Sequence, residues 1–246
     1  MIAIGVDIGG TGIKSALVDT VRGELVSERL RTLTAGGAPG HIAAALAEQL
    51  AQLGSDGPIG IGFPGVVKNG VVFTSAHVDD EWQGMDFRAA MREAAGRDVV
   101  VLNDADAAAL AEARFGVAKD VPGVVLRLTL GTGIGSAMFV DGVLVPNLEL
   151  GHIEVRGKEG ELRAAASVRD RKKLTWEQWA ERLNEYLDHV DRLVWPDLIV
   201  LGGGVTKNAD RFLHLLRARP PIEVARLQNQ AGIVGAAMRA AEGLSH

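Results

Sequence analysis

The chain of 246 residues contains no cysteine, which excludes disulfides and any thiolate-ligated metal. Long apolar runs are also missing. None approaches the roughly 18 residues of a membrane span, and the first residues read as a strand instead of a signal peptide. A cytoplasmic protein with no membrane partner is expected. Positive charge is in short supply, since 26 Lys and Arg against 31 Asp and Glu give a formal net charge of −5. That balance argues against a general nucleic-acid binder, so an anionic substrate would need a local positive site. A phosphate loop of the GxxxxGK[ST] kind is absent too. What is present is a hydrophobic fraction of 47%, enough for a substantial core in one large domain or two small ones.

A repeat organises that core. Gly10-Thr11-Gly12-Ile13-Lys14-Ser15-Ala16 returns as Gly131-Thr132-Gly133-Ile134-Gly135-Ser136-Ala137. Each copy follows an apolar run, 2–8 or 124–130, and leads into another. The pattern is strand, tight glycine turn, strand, used twice. Glycine reaches positive φ without steric cost and lets backbone N–H groups approach a ligand closely. Two such turns facing each other would clamp a polyanion, so the repeat suggests phosphate handling by a duplicated fold.

Periodicity predicts helices over 40–53, 87–95, 105–115, 174–194, 207–217 and 231–242, with short strands at 59–63, 71–74, 99–102, 198–201 and 222–224. Strands followed by helices, twice over, give an α/β fold with two similar lobes. The expected small N-terminal lobe is 1–105, joined by the C-terminal helix 230–246. The larger C-terminal lobe is 106–229.

Several polar positions fit chemistry. In Asp7-Ile8-Gly9-Gly10-Thr11-Gly12-Ile13-Lys14, the lysine suits phosphate charge and Asp7 suits a metal held through water. Asn103-Asp104 sits where a buried strand meets a helix, a place that favours caps but also ligands. A phosphoryl acceptor needs a base in reach of its proton, and Asp104 fits, with Asp106 expected as the cap or supporting group. At this point cap and catalyst are even. Glu149-Leu150-Gly151-His152-Ile153-Glu154 offers carboxylates and an imidazole for a polyol, with metal binding by His152 as the lesser reading. Gly202-Gly203-Gly204 adds another backbone-lined approach, suited to a nucleotide or phosphate chain. Arg169-Asp170-Arg171-Lys172-Lys173 reads as a solvated turn, and Trp176, Trp179 and Tyr186 as core or dimer contacts.

Taken together, DIGGTGIK, LNDADAAALAE, LTLGTGIGSA, ELGHIE and LGGGV resemble the repressor–open-reading-frame–kinase (ROK) family of sugar kinases, over nearly the whole chain. FPGVVKNGVV, ELGHIEVRGK, LTWEQW, PDLIVLGGGVTKNAD and LQNQAGIVGAA are similar to its polyphosphate-using glucokinases. The resemblance implies two lobes of the actin/hexokinase (ribonuclease H-like) type with a cleft between them. It implies phosphorylation of glucose at the 6-hydroxyl, using polyphosphate or ATP with Mg²⁺, by a homodimer. Asp104 is then the general base, and Asn103, Glu149, His152 and, through a looser alignment, Glu161 are the sugar contacts. Asp7, Gly9, Gly10, Thr11, Gly12, Lys14, Gly131, Thr132, Gly133, Gly203 and Gly204 meet the donor. No side-chain metal cluster is expected, only donor-bound Mg²⁺ near Asp7. Most members carry a cysteine-rich zinc loop after the Gly-His pair. This chain lacks it, as do the polyphosphate-using members, so no zinc is expected. The DNA-binding extension of the family's regulators is not expected either. Lys14, Lys68, Lys207, Arg211 and the 169–173 run are the candidate cations for a long polyanion.

Overall fold

The computed structural model describes residues 1–243, and it divides into two compact units, 1–111 with the C-terminal segment from Gln230, and 112–229. The expected last helix extends in part onto 244–246, which lie outside the described residues.

In the first unit, β1 (Ile2–Gly9) and β2 (Gly12–Asp19) form the hairpin around the first glycine turn. Short strands β3 (Glu24–Leu25) and β4 (Leu30–Thr32) both pair with β2, and α1 (Pro39–Leu53) follows. Proline opens α1, where its missing N–H costs nothing, and left-handed Gly54 closes it. Strand β5 (Ile59–Phe63) lies parallel to β1. The small hairpin β6 (Val67–Lys68) and β7 (Val71–Val72) precedes α2 (Phe87–Ala95), which Asp86 caps. Strand β8 (Val99–Asn103) completes a sheet of order β3-β2-β1-β5-β8, with β4 beside β2. It runs directly into α3 (Asp104–Phe115). Phe63, Trp82 and Phe87 form the aromatic centre of this core, all fully buried.

The second unit begins with β9 (Val124–Leu130) and β10 (Ile134–Val140), the hairpin around the second glycine turn, followed by β11 (Val143–Val145). A two-residue pair, β12 (Glu154–Val155) and β13 (Lys158–Glu159), leads to α4 (Glu161–Ala164) and α5 (Ala166–Lys172). The long α6 (Trp176–Val194) starts with a complete capping box between Thr175 and Gln178. Strands β14 (Leu198–Gly202) and β15 (Ile222–Val224) finish the sheet, in the order β11-β10-β9-β14-β15.

The final helix, α7 (Ala231–Ala241), packs on β1 and β5 of the first unit. Its approach is backbone against backbone. A side chain at Gly5 or Gly60 would strike the carbonyl of Ile233 or Ala236, so only glycine lets helix and sheet meet.

Two expectations need correction. The helix predicted over 207–217 is instead two short 3₁₀ segments, Gly204–Arg211 and Leu213–Leu215, because Asn208 leaves helical geometry. The charged run 169–173 is not a loose turn. It forms most of α5, anchored by buried Val168 and closed by Lys173 in the left-handed region. Trp179 and Tyr186 are buried core residues, and half-buried Trp176 stacks on Phe212 at 5.8 Å. No helix among the described residues is long and apolar enough to cross a membrane.

Candidate active site

In the first unit, register decides the environment of the first glycine turn. Asp7 and Lys14 face each other across the β1–β2 hairpin, and their side chains form an ion pair of 2.9 Å. The sequence presented them as separate phosphate and metal residues. Here each partly neutralises the other. A second cation arrives from β4, whose pairing with β2 sets Arg31 opposite Lys14 and lets its guanidinium donate to the Thr11 carbonyl at 3.3 Å. No local motif announced Arg31. The free oxygen of Asp7 lies against Gly232, where a side chain would collide with it. One half-buried carboxylate beside a phosphate turn fits Mg²⁺, which is commonly held by one or two protein carboxylates together with substrate phosphates and water.

Asn103 ends β8 and is only 4% exposed. Its side-chain oxygen accepts the Asp106 N–H at 3.0 Å, and its amide donates to the Gly65 carbonyl at 3.0 Å. Asn103 is therefore the cap of α3, and of the two roles expected for Asp106, cap or supporting group, that of cap belongs to Asn103. Asp106 is the capped residue, 2% exposed. Asp104, half-buried at the first position of α3, follows with its backbone fixed by that cap.

In the second unit, the glycine turn is tight, with the Gly131 N–H donating to the Gly133 carbonyl at 3.0 Å. Ser167, in the first turn of α5, holds it from below. Its N–H donates to the Gly131 carbonyl at 3.0 Å and its hydroxyl to the Thr132 carbonyl at 2.6 Å. Gly203, with φ of 94°, lies against Leu130, the residue entering the turn. Parallel pairing of β14 with β9 thus brings Gly203 and Gly204 beside Gly131, Thr132 and Gly133.

Strand β10, which leaves this turn, positions the candidate sugar residues. Ser136 on β10 donates to the Leu148 carbonyl at 2.7 Å and accepts the Leu150 N–H at 2.8 Å, clasping the segment around Glu149. A side chain at Gly151 would meet the Ile134 carbonyl, so the glycine of the Glu-x-Gly-His motif lets this segment lie on β10. Glu161 accepts the Ile134 N–H at 3.1 Å, which draws the loosely aligned glutamate to the residue just after the glycine turn. His152 has Nε2 at 3.8 Å from Glu149 and Nδ1 at 3.4 Å from Glu159. Burial pushes the Glu149 carboxyl above its usual range; His152 opposes the shift and Glu161 adds to it. Glu159 was not singled out by sequence, since its approach to His152 depends on the β12–β13 pair. His152, Glu159 and Glu161 are the one group among the described residues with three metal-capable ligand atoms within 4.8 Å of one another. Glu161 already spends an oxygen on Ile134, and the other two side chains are about half exposed.

The chain as a whole is similar to known proteins. The model of the ROK family matches residues 3–165. The chain is 46% identical over 98% of its length to a polyphosphate glucokinase of Mycobacterium tuberculosis, covering 92% of that protein. It is 46% identical, over 98% of its length and 75% of the relative's, to a polyphosphate glucokinase of Mycobacterium leprae. Among solved structures, an inorganic polyphosphate/ATP-glucomannokinase from Arthrobacter sp. strain KM superposes with a TM-score of 0.95 at 46% identity, covering 99% of both chains. A glucokinase from Streptomyces griseus, in complex with glucose and AMPPNP, superposes at 0.84 with 25% identity, covering 99% of this chain and 100% of that one.

Proposed function

Because this chain belongs to the ROK family, we propose that it phosphorylates glucose at the 6-hydroxyl, taking the phosphoryl group from inorganic polyphosphate or ATP. The observation that carries this reading is the gathering of Glu149, His152 and Glu161 around Ile134, next to the second glycine turn. Hydroxyl-binding groups beside a phosphate-binding turn are what a sugar kinase needs.

Asp104 accepts the 6-hydroxyl proton as that oxygen attacks the terminal phosphorus in line. Its fixed place directly after the capping Asn103 supports this role, because a base must keep its reach through the transition state. Glu149, His152 and Glu161 accept from or donate to sugar hydroxyls, with Asn103, so that attack becomes effectively intramolecular. A half-buried, partly desolvated Glu149 makes stronger hydrogen bonds than one in water. Backbone N–H groups of the two glycine turns, flanked by Gly203 and Gly204, bind the donor. Mg²⁺ bound with the donor supplies charge neutralisation, and Asp7 is the carboxylate suited to hold it through water. The same reading expects a cytoplasmic homodimer, for which sedimentation provides the check.

Mannose is the second acceptor to consider, since the Arthrobacter relative is named a glucomannokinase. Incubating the protein with glucose or mannose and each donor, then locating the new phosphate by ³¹P–¹H NMR, tests the proposal. A phosphate on carbon 6 is expected. A product phosphorylated elsewhere, or no turnover of any sugar with either donor, would overturn it.

A further inference from the structure

The second unit gathers positive charge that none of the roles above uses. Helix α5 starts on the second glycine turn, through the Ser167 bonds to Gly131 and Thr132, and its seven residues extend about 10 Å from there. It carries Arg169, Arg171 and Lys172. Helix α4, which carries Arg163, packs against α5, α6 and β13, and the last two contribute Arg182 and Lys158. Lys158, Arg171 and Lys172 are exposed and Arg182 is half-buried. None of these four pairs with a carboxylate among the described residues. One nearby carboxylate, Glu185, is shared by Arg156 and Arg163, at 2.6 Å from each, which leaves a surplus even there.

The crowding is felt at Lys172. Its pKa is lowered chiefly by Arg182, then by burial and by Lys158, Arg171 and Arg163. A chain with a net charge of −5 that collects unmatched cations on one face carries a repulsion that a bound polyanion would relieve.

We propose that Lys158, Arg171, Lys172 and Arg182 form a track for linear polyphosphate, holding the phosphates beyond those seated at the second glycine turn. The proposal rests on the donor reading above and adds where the long chain runs. Nucleic acid is the poorer occupant, because single strands bind through aromatic faces as well as charge. The rings beside α5 are not open to a base: Trp179 is buried, and Trp176 has Arg169 at 3.7 Å over its ring and Phe212 stacked against it.

The test is a triple variant, Arg171→Gln with Lys172→Gln and Arg182→Gln, compared with the unaltered protein in equilibrium binding of long-chain polyphosphate and in turnover with long-chain polyphosphate, tripolyphosphate and ATP. Long-chain affinity should fall about tenfold or more near 0.1 M salt, and the slope of log affinity against log salt should lose about 2, as expected for three released charges. The KM for ATP and for tripolyphosphate should stay within about twofold. Unchanged long-chain binding, an equal loss for ATP, no binding by the unaltered protein, or equal competition from single-stranded RNA would each overturn the track. Tight long-chain binding without turnover would sink polyphosphate as a donor while leaving the track standing. Equal long-chain turnover by both proteins would do the reverse.

Discussion

At the first glycine turn Lys14 is matched by Asp7, at 2.9 Å across the hairpin, and Arg31 reaches the turn as a further cation. The second turn is tied by Ser167 to a helix whose Arg171 and Lys172 have no carboxylate partner among the described residues. Both turns come from nearly the same sequence and both join antiparallel strands. A glycine turn therefore supplies backbone donors and close approach, and nothing more. Its electrostatic character is set by what non-local pairing brings beside it, β4 with Arg31 in one unit and α5 in the other. The paired turn suits a metal-accompanied reacting end, where charge must be finely matched. The open, basic one suits a long chain of phosphates.

This contrast can be broken in stages. The largest effect is expected in the first unit at Asp104. Asp104→Asn should lower kcat about 10³-fold, the usual worth of a positioned general base, while calorimetric glucose affinity changes little. Equal losses in both would mean that Asp104 binds and does not catalyse. In the second unit, Glu149→Gln should raise the glucose KM by about 10- to 100-fold, from the loss of a charge-assisted hydrogen bond, with a smaller fall in kcat.

Glu149→Gln also makes a stability prediction of opposite sign. The folded-state pKa of Glu149 is raised above 4.5 by burial, so folding favours the neutral acid. Below pH 4.5 the carboxyl is neutral in both states and costs nothing. As pH rises through the folded pKa, the ionised group destabilises the fold. The Gln variant should therefore melt about 1–3 °C higher at pH 7, an advantage that disappears in acid. A melting temperature that falls at pH 7 would contradict this.

Smaller effects separate the two turns. Ser167→Ala removes a hydroxyl bond to Thr132 and should raise the KM for either donor about 3- to 10-fold, without touching glucose KM. Lys14→Met should weaken donor binding only about 2- to 5-fold, since the ion pair to Asp7 already offsets its charge in a half-exposed setting. Initial rates across donor concentrations measure both. If Lys14→Met proves the more damaging, the contrast between the turns is wrong.

Much of the fold was legible because its signals are local. The two hairpins, the Thr175 capping box, the left-handed Gly54 that ends α1, and the buried strands all follow from nearest neighbours in sequence. What sequence reasoning missed depends on distant pairing. Arg31 reaches the first turn only because β4 joins β2. Glu112 looks like an ordinary exposed helical glutamate but is fully buried, accepting N–H groups from Val117, Arg226 and Leu227. The 169–173 run has too few apolar residues to announce a helix. It becomes one because Ser167 and Val168 dock on the glycine turn and the core. At the candidate site, the residue types around Asn103 and Glu149 could be read directly. The cap made by Asn103 and the approach of Glu159 to His152 could not, since each requires a neighbour's backbone path.

The most direct test of the account is glucose-6-phosphate formation by the purified protein with glucose and Mg²⁺, supplied separately with nucleotide-free long-chain polyphosphate and with ATP. Sustained formation with polyphosphate alone, and also with ATP alone, is predicted. Turnover with ATP and none with polyphosphate would contradict the reading of polyphosphate as a donor.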